Sequence, residues 1–183
     1  MRWILKQLAL NATKMLAGFA GIFLLLMCGC EALKVRYNHA ADSPAYAEAV
    51  FERLLPFDRV LASRAYHLID DDWPNWDCTF AIVELAADAP EAPPSRVMAE
   101  DGLNLGWRYV FGGSWEATPK TPLSPNTRDA LGFCVQYFEA EVSQRLRSAM
   151  REPGSWYVLG PVGETLFIYS LPQRIAARIR FGD

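Results

Sequence analysis

The sequence predicts an α+β fold: a single domain with a small antiparallel sheet packed against one long amphipathic helix and a shorter N-terminal helix. Three observations predict it. Thr79-Phe80-Ala81-Ile82-Val83-Glu84-Leu85 is rich in β-branched and aromatic residues and nearly continuous in apolar character, as expected of a central strand. Leu131, Val135, Phe138, Val142, Leu146 and Ala149 recur at spacings of four, three, four, four and three, the period of one face of a helix. Trp156-Tyr157-Val158-Leu159 and Thr165-Leu166-Phe167-Ile168-Tyr169 flank a turn containing Gly160, Pro161 and Gly163, which reads as a β-hairpin. The order of helix, strands, long helix and strands suggests a sheet covered on one face.

The remaining elements follow in chain order. Ser43-Pro44 reads as an N-cap followed by proline at the first helical position, opening a helix through Ala45, Ala49, Phe51 and Leu54 that Pro56 ends. Val60 to Ile69 has no clean period and fits a strand or a short helix. Asp88 to Ser95 carries Pro90, Pro93 and Pro94 and reads as an exposed loop. Trp107-Arg108-Tyr109-Val110-Phe111 alternates between faces before Gly112-Gly113 and reads as a second strand, continuing towards Trp115. Ser124-Pro125-Asn126-Thr127 is a start signal for the long helix, and Pro153-Gly154 terminates it. Ile175, Ala177, Ile179 and Phe181 alternate with Arg174, Arg178 and Arg180 as a strand would. Against that, Ser170-Leu171-Pro172-Gln173 has the form of a capping box, and Leu171, Ile175 and Ile179 repeat at four. A final strand is the favoured reading.

The N-terminus carries an address. Arg2, Lys6 and Lys14 precede sixteen uncharged positions, residues 15 to 30, that end in Met27-Cys28-Gly29-Cys30. A basic start, a short apolar stretch and small residues before a cysteine resemble a bacterial lipoprotein signal. That resemblance implies cleavage before Cys30 and lipid attachment to it. Such a run is ~24 Å long as a helix, shorter than the ~30 Å hydrocarbon thickness that favours about 20 apolar residues. Length therefore favours a signal over an uncleaved anchor. A helix buried in the domain core is disfavoured by Ile22 to Met27, which is apolar on every face. Under both membrane readings the charge bias puts the domain on the non-cytoplasmic side of a bacterial cell envelope. The expected organisation is 1–29 signal peptide or membrane anchor, 30–42 polar tether, and 43–183 one exported domain.

Charge and cysteine content bound the function. The chain has net charge −3, and residues 30–183, having lost three basic and no acidic residues, have −6. An acidic domain argues against nucleic-acid binding. Cys78 and Cys134 form the only pair beyond the signal, and an oxidising envelope permits a disulfide between them. His39 and His67 are the only histidines, and no Cys-x-x-Cys or His-x-x-x-His spacing occurs, so neither a metal nor another cofactor is expected.

Asp70, Asp71, Asp72, Trp73, Trp76 and Asp77 make the densest polar cluster and the candidate binding surface. Its spacing is not that of a calcium loop, since Trp73 and Pro74 stand where the backbone would wrap an ion; aspartates capping a turn explain it as well. The same carboxylates with Glu84 could supply a general acid and base, and Trp107, Trp115 and Trp156 could act as sugar platforms. Ser114, His67 and Asp77 form a conceivable triad, although Gly112-Gly113-Ser114-Trp115-Glu116 lacks the last glycine of a nucleophile elbow. Arg174, Arg178 and Arg180 could form a basic stripe facing lipid headgroups or a partner. The expectation is a membrane-attached, non-enzymatic binding or accessory protein with an envelope protein partner. The alternatives are a small hydrolase of cell-wall or carbohydrate material and an immunity-type lipoprotein.

Overall fold

A computed structural model describes residues 2–66, 78–95, 109–120, 130–160 and 164–181. The chain divides into two compact units, residues 1–40 and 41–183. The first unit is helical, being nearly all of α1 (Arg2–Ala41). The second contains α2 (Ala45–Phe51), β1 (Phe57–Arg64), β2 (Cys78–Leu85), β3 (Glu116–Ala117), α3 (Ala140–Arg151), β4 (Ser155–Leu159), β5 (Thr165–Ser170) and β6 (Ile175–Phe181). Its six strands form one antiparallel sheet in the order β1-β2-β6-β5-β4-β3. The α+β class and the antiparallel sheet are those the sequence predicts.

The strand reading of the C-terminus holds, and the physical reason lies in the register. Phe80 faces Ile179 and Ile82 faces Ala177 across β2 and β6, while Leu166 and Ile168 of β5 meet the same two β6 residues from the other side. Alternation at two therefore fills one continuous apolar face. The competing Ser170-x-x-Gln173 signal is spent on a turn: the Gln173 amide donates to Ser170 Oγ at 3.2 Å, and the Arg174 amide to the Leu171 carbonyl at 3.0 Å. Arg174 itself sits at φ 47°, where it closes this turn. Val60 to Arg64 resolves as strand, within β1.

The sheet is covered on both faces, not on one. On one side Phe80, Ile82, Leu166, Ile168, Ala177 and Ile179 bury against Leu131, Cys134, Phe138, Val142, Leu146 and Met150. On the other, Ala81, Val83, Leu85, Phe167, Tyr169 and Ala176 bury against Tyr46, Val50, Phe51, Leu55 and Phe111. β2 is apolar on both faces because it is buried on both, a pattern more familiar from doubly covered sheets.

Three local readings are corrected. First, the long amphipathic helix is divided: residues 130–133 are helical, Cys134–Tyr137 tighten into a 3₁₀ turn, Phe138 and Glu139 are extended, and α3 resumes at Ala140. Cys134 is bonded to Cys78 where β2 begins, whereas Arg145 reaches Glu84 and the Gln173 carbonyl where β2 ends. Eleven residues of α-helix cover ~16 Å, and the six strand steps from Cys78 to Glu84 cover ~20 Å. The extended link at Phe138 supplies the difference and keeps both ends on the sheet. The predicted apolar stripe stays buried through the break, apart from half-buried Val135.

Second, Tyr109 to Phe111 is not a strand; it lays Phe111 onto the sheet, edge-on to Phe51 at 4.9 Å, and Gly112 at φ 104° then turns the chain away. The alternation recorded burial, not pairing, and strand begins only at Glu116. Third, α2 starts one residue later than the cap signal implied, with Pro44 in the cap position, and ends at Phe51. Ser43 instead accepts a hydrogen bond at its carbonyl from Ser63 Oγ at 2.7 Å. Asp42 pairs with Arg64 at 2.7 Å, and the Arg64 guanidinium lies 4.3 Å from the Tyr137 ring centroid.

Cys78 and Cys134 form a disulfide with a Cα separation of 5.5 Å, closing a loop of 56 residues. Replacing Cys134 by Ser is expected to lower unfolding stability by about 4 kcal/mol in the chain-entropy model, read from the urea midpoint, and to abolish the mobility difference between reduced and oxidised protein on electrophoresis. Leu146, fully buried on α3, is expected to cost about 2–5 kcal/mol on replacement by Ala, by the same measurement.

Candidate functional site

The residues singled out by sequence scatter. Asp70, Asp71, Asp72, Trp73, Trp76 and Asp77, together with His67 and Trp107, lie outside the described residues. Ser114 is exposed in the bend after Gly113. Trp115 and Trp156 are half-buried and pack on the α2 side of the sheet. Trp115 lies edge-on to Phe111 and donates to the Pro94 carbonyl at 2.7 Å; Trp156 tilts against Tyr169. Their rings are engaged in packing against neighbouring aromatic side chains. Among the described residues, no group of three or more His, Cys, Asp or Glu side chains is placed to hold a metal ion.

Cys28 and Cys30 are exposed free thiols on α1. The large apolar side chains around that helix, from Met15 through Met27, are 49 to 75% exposed. Each forgoes about 1.5–3 kcal/mol of burial in water. The helix is long and apolar enough to cross a membrane or to serve as a signal sequence.

Glu84, the carboxylate considered for acid–base work, is an ion-pair partner. Its Oε2 accepts from Arg59 Nε at 2.6 Å, and its Oε1 lies 3.6 Å from Arg145 Nη2. The Arg59 hydrogen bond holds its carboxyl below the usual range, with Arg145 adding to the effect and burial opposing it. A carboxyl held ionised is a poor general acid. The neighbouring Arg145 donates from Nη2 to the Gln173 carbonyl at 2.7 Å and the Arg174 carbonyl at 2.9 Å, so this cluster ties α3 to β2 and to the β5–β6 turn.

The C-terminal arginines do not form a stripe. β6 is a central strand between β2 and β5, so its side chains face covered surfaces. Arg178 is 1% exposed, with Nη1 donating to the Tyr46 hydroxyl at 2.9 Å and Nε to the Val110 carbonyl at 3.2 Å. Arg174 pairs with Asp58 at 2.6 Å and donates to the Leu85 carbonyl, and Arg180 pairs with Glu164 at 3.6 Å. The reading of these three as a basic stripe is overturned because Arg178 and Arg180 lie on an interior strand, while Arg174 stands in the preceding turn, half exposed and paired with Asp58.

A concavity does occur beside α3, on the side opposite its apolar stripe. The break at Phe138 splays the 3₁₀ turn from α3 and leaves an open groove of about 610 Å³, lined by Val135 and Phe138 on one side and by Ser143, Gln144, Arg147 and Arg151 on the other. This lies within the size range of small-ligand sites. Ser143 Oγ donates to the Val135 carbonyl at 3.4 Å and joins the two walls. The signal available in the sequence was the pair Arg147 and Arg151, one helical turn apart; its groove depends on the chain break, which periodicity does not reveal.

Comparison with known proteins finds no match: no family model fits the chain, and no curated protein or solved structure is similar to it.

The Glu84 pair has a defined pH signature. A carboxyl whose pKa is lowered by folding contributes stability above its unfolded pKa and loses it as pH falls through the folded value. Glu84→Gln is therefore expected to lower the urea midpoint at neutral pH, with the gap from wild type closing below about pH 4.

Proposed function

We propose that this chain is a membrane-attached lipoprotein of the bacterial cell envelope, whose domain lies on the non-cytoplasmic side and works by binding a protein or envelope component. The observation that carries the reading is α1, apolar and exposed around its circumference between Met15 and Met27, a surface suited to hydrocarbon and costly in water. Basic residues precede this stretch and none of its positions is charged, which favours a cytoplasmic N-terminus. The Cys78–Cys134 disulfide suits an oxidising compartment. Cys30, exposed at the end of the apolar run, is the position for lipid attachment.

A second reading, an uncleaved anchor, draws support from the continuation of α1 beyond Cys30 with Leu33 and Val35 still exposed. Both readings hold the domain at the membrane on the same side.

In cells labelled with a radioactive fatty acid, the wild-type chain is expected to incorporate label and Cys30→Ala to lose it and remain unprocessed. Label persisting in that variant, or a mature wild-type chain beginning at Met1, would sink the lipoprotein reading. Recovery of the full chain in the soluble fraction would sink membrane attachment altogether.

A further inference from the structure

All but two of the described arginines of the domain are committed to partners. Among those described in residues 41–183, Arg59 and Arg145 hold Glu84, Arg64 holds Asp42, Arg174 holds Asp58, Arg180 holds Glu164, and Arg178 is bonded to Tyr46 and Val110. Arg53 likewise has a partner. Arg147 and Arg151 alone have no ion pair or hydrogen bond among the described residues, and they line the same groove. They stand four residues apart on α3, so their like charges repel. Residues 41–183 have net charge −7, so carboxylates are plentiful, yet among the described residues none is placed on this pair. An acidic domain that leaves two guanidiniums side by side in a concavity presents a local site of opposite sign.

The opposite wall defines the rest of the ligand. Half-buried Val135, with the edge of the buried Phe138 ring, supplies apolar surface, while Ser143 and Gln144 add hydrogen-bonding groups beside the arginines. An extended chain points successive side chains to opposite sides. One with alternating acidic and apolar residues would thus set its carboxylates against α3 and its apolar side chains against the 3₁₀ turn. Guanidinium forks match carboxylates in a bidentate manner. A flat lipid surface would meet the two arginines but would leave the apolar wall unused.

We infer that the groove between the 3₁₀ turn and α3 binds an acidic, partly apolar segment of a partner polypeptide, with Arg147 and Arg151 as the carboxylate-binding residues. This rests on the binding-protein reading above and names the chemistry of its partner.

The test uses the full chain in detergent micelles and a fluorescent peptide of alternating glutamate and leucine, with the glutamine–leucine peptide as control. Wild type is expected to bind the acidic peptide saturably and at least about tenfold more tightly than the control, consistent with charge-assisted hydrogen bonds. Arg147→Gln with Arg151→Gln should erase that preference while circular dichroism and the disulfide stay unchanged. Arg147→Glu with Arg151→Glu should transfer the preference to a lysine–leucine peptide. Equal binding of the two peptides by wild type, or an unaltered preference in the glutamine variant, overturns the proposal. So does arginine-dependent binding to phosphatidylglycerol vesicles without peptide binding, which would identify a lipid site. Membrane fractionation of the same variants separates the two readings: peptide binding can fail while attachment persists, and then only the groove assignment falls.

Discussion

The double burial of the central strands β2 and β6 is the constraint on which the rest of the domain depends. Both strands present apolar side chains above and below the sheet, so neither face can be left to water. Each face needs a cover, and the chain provides α3 with the preceding 3₁₀ turn for one and α2 with Phe111 for the other. Burial at ~25 cal/mol per Å² is non-directional, so it does not by itself place those covers. The disulfide and the polar ties do. Cys134 holds one end of the α3 layer at the start of β2, and Arg145 holds the other at its end.

Charge in this domain serves mainly to join elements. Asp42 and Arg64 bind the chain ahead of α2 to the end of β1; Asp58 and Arg174 bind β1 to the β5–β6 turn; Glu84 gathers β1 and α3. Arg178 goes further, entering the interior of the α2 layer, where Tyr46 and the Val110 carbonyl replace water around its guanidinium. A buried arginine is tolerated only when its donors are satisfied. Arg147 and Arg151 depart from this economy of pairing, and they do so at a groove.

Reading the sequence succeeded where one local pattern had one physical meaning. Thr79 to Leu85 is a strand because a continuous β-branched and aromatic run of that length fits little else, and the β4–β5 hairpin follows from apolar runs on either side of Gly and Pro. It failed where one pattern served two geometries. The alternation of Tyr109 and Phe111 suits a strand, but it equally suits a loop that presses one ring onto the sheet. The four-three spacing from Leu131 to Ala149 suits one helix, and it also survives an extended link at Phe138, since that link still returns the next apolar residue to the same face. Of the candidate site residues, Glu84 was legible as a charged side chain on a strand, but its neighbours Arg59 and Arg145 are 25 and 61 positions away in sequence, beyond any local signal.

The sequence by itself determined the class of fold, the central strand, the hairpin, the apolar face of α3 and the apolar, uncharged character of the N-terminal run, because each is a periodicity or composition within a short window. The tertiary structure alone decided which charges meet, that both sheet faces are covered, that Arg178 is interior and that Arg147 and Arg151 share a groove. Those outcomes depend on contacts between residues tens of positions apart. Free energy of that kind comes from closure of the whole fold, and no segment carries it alone.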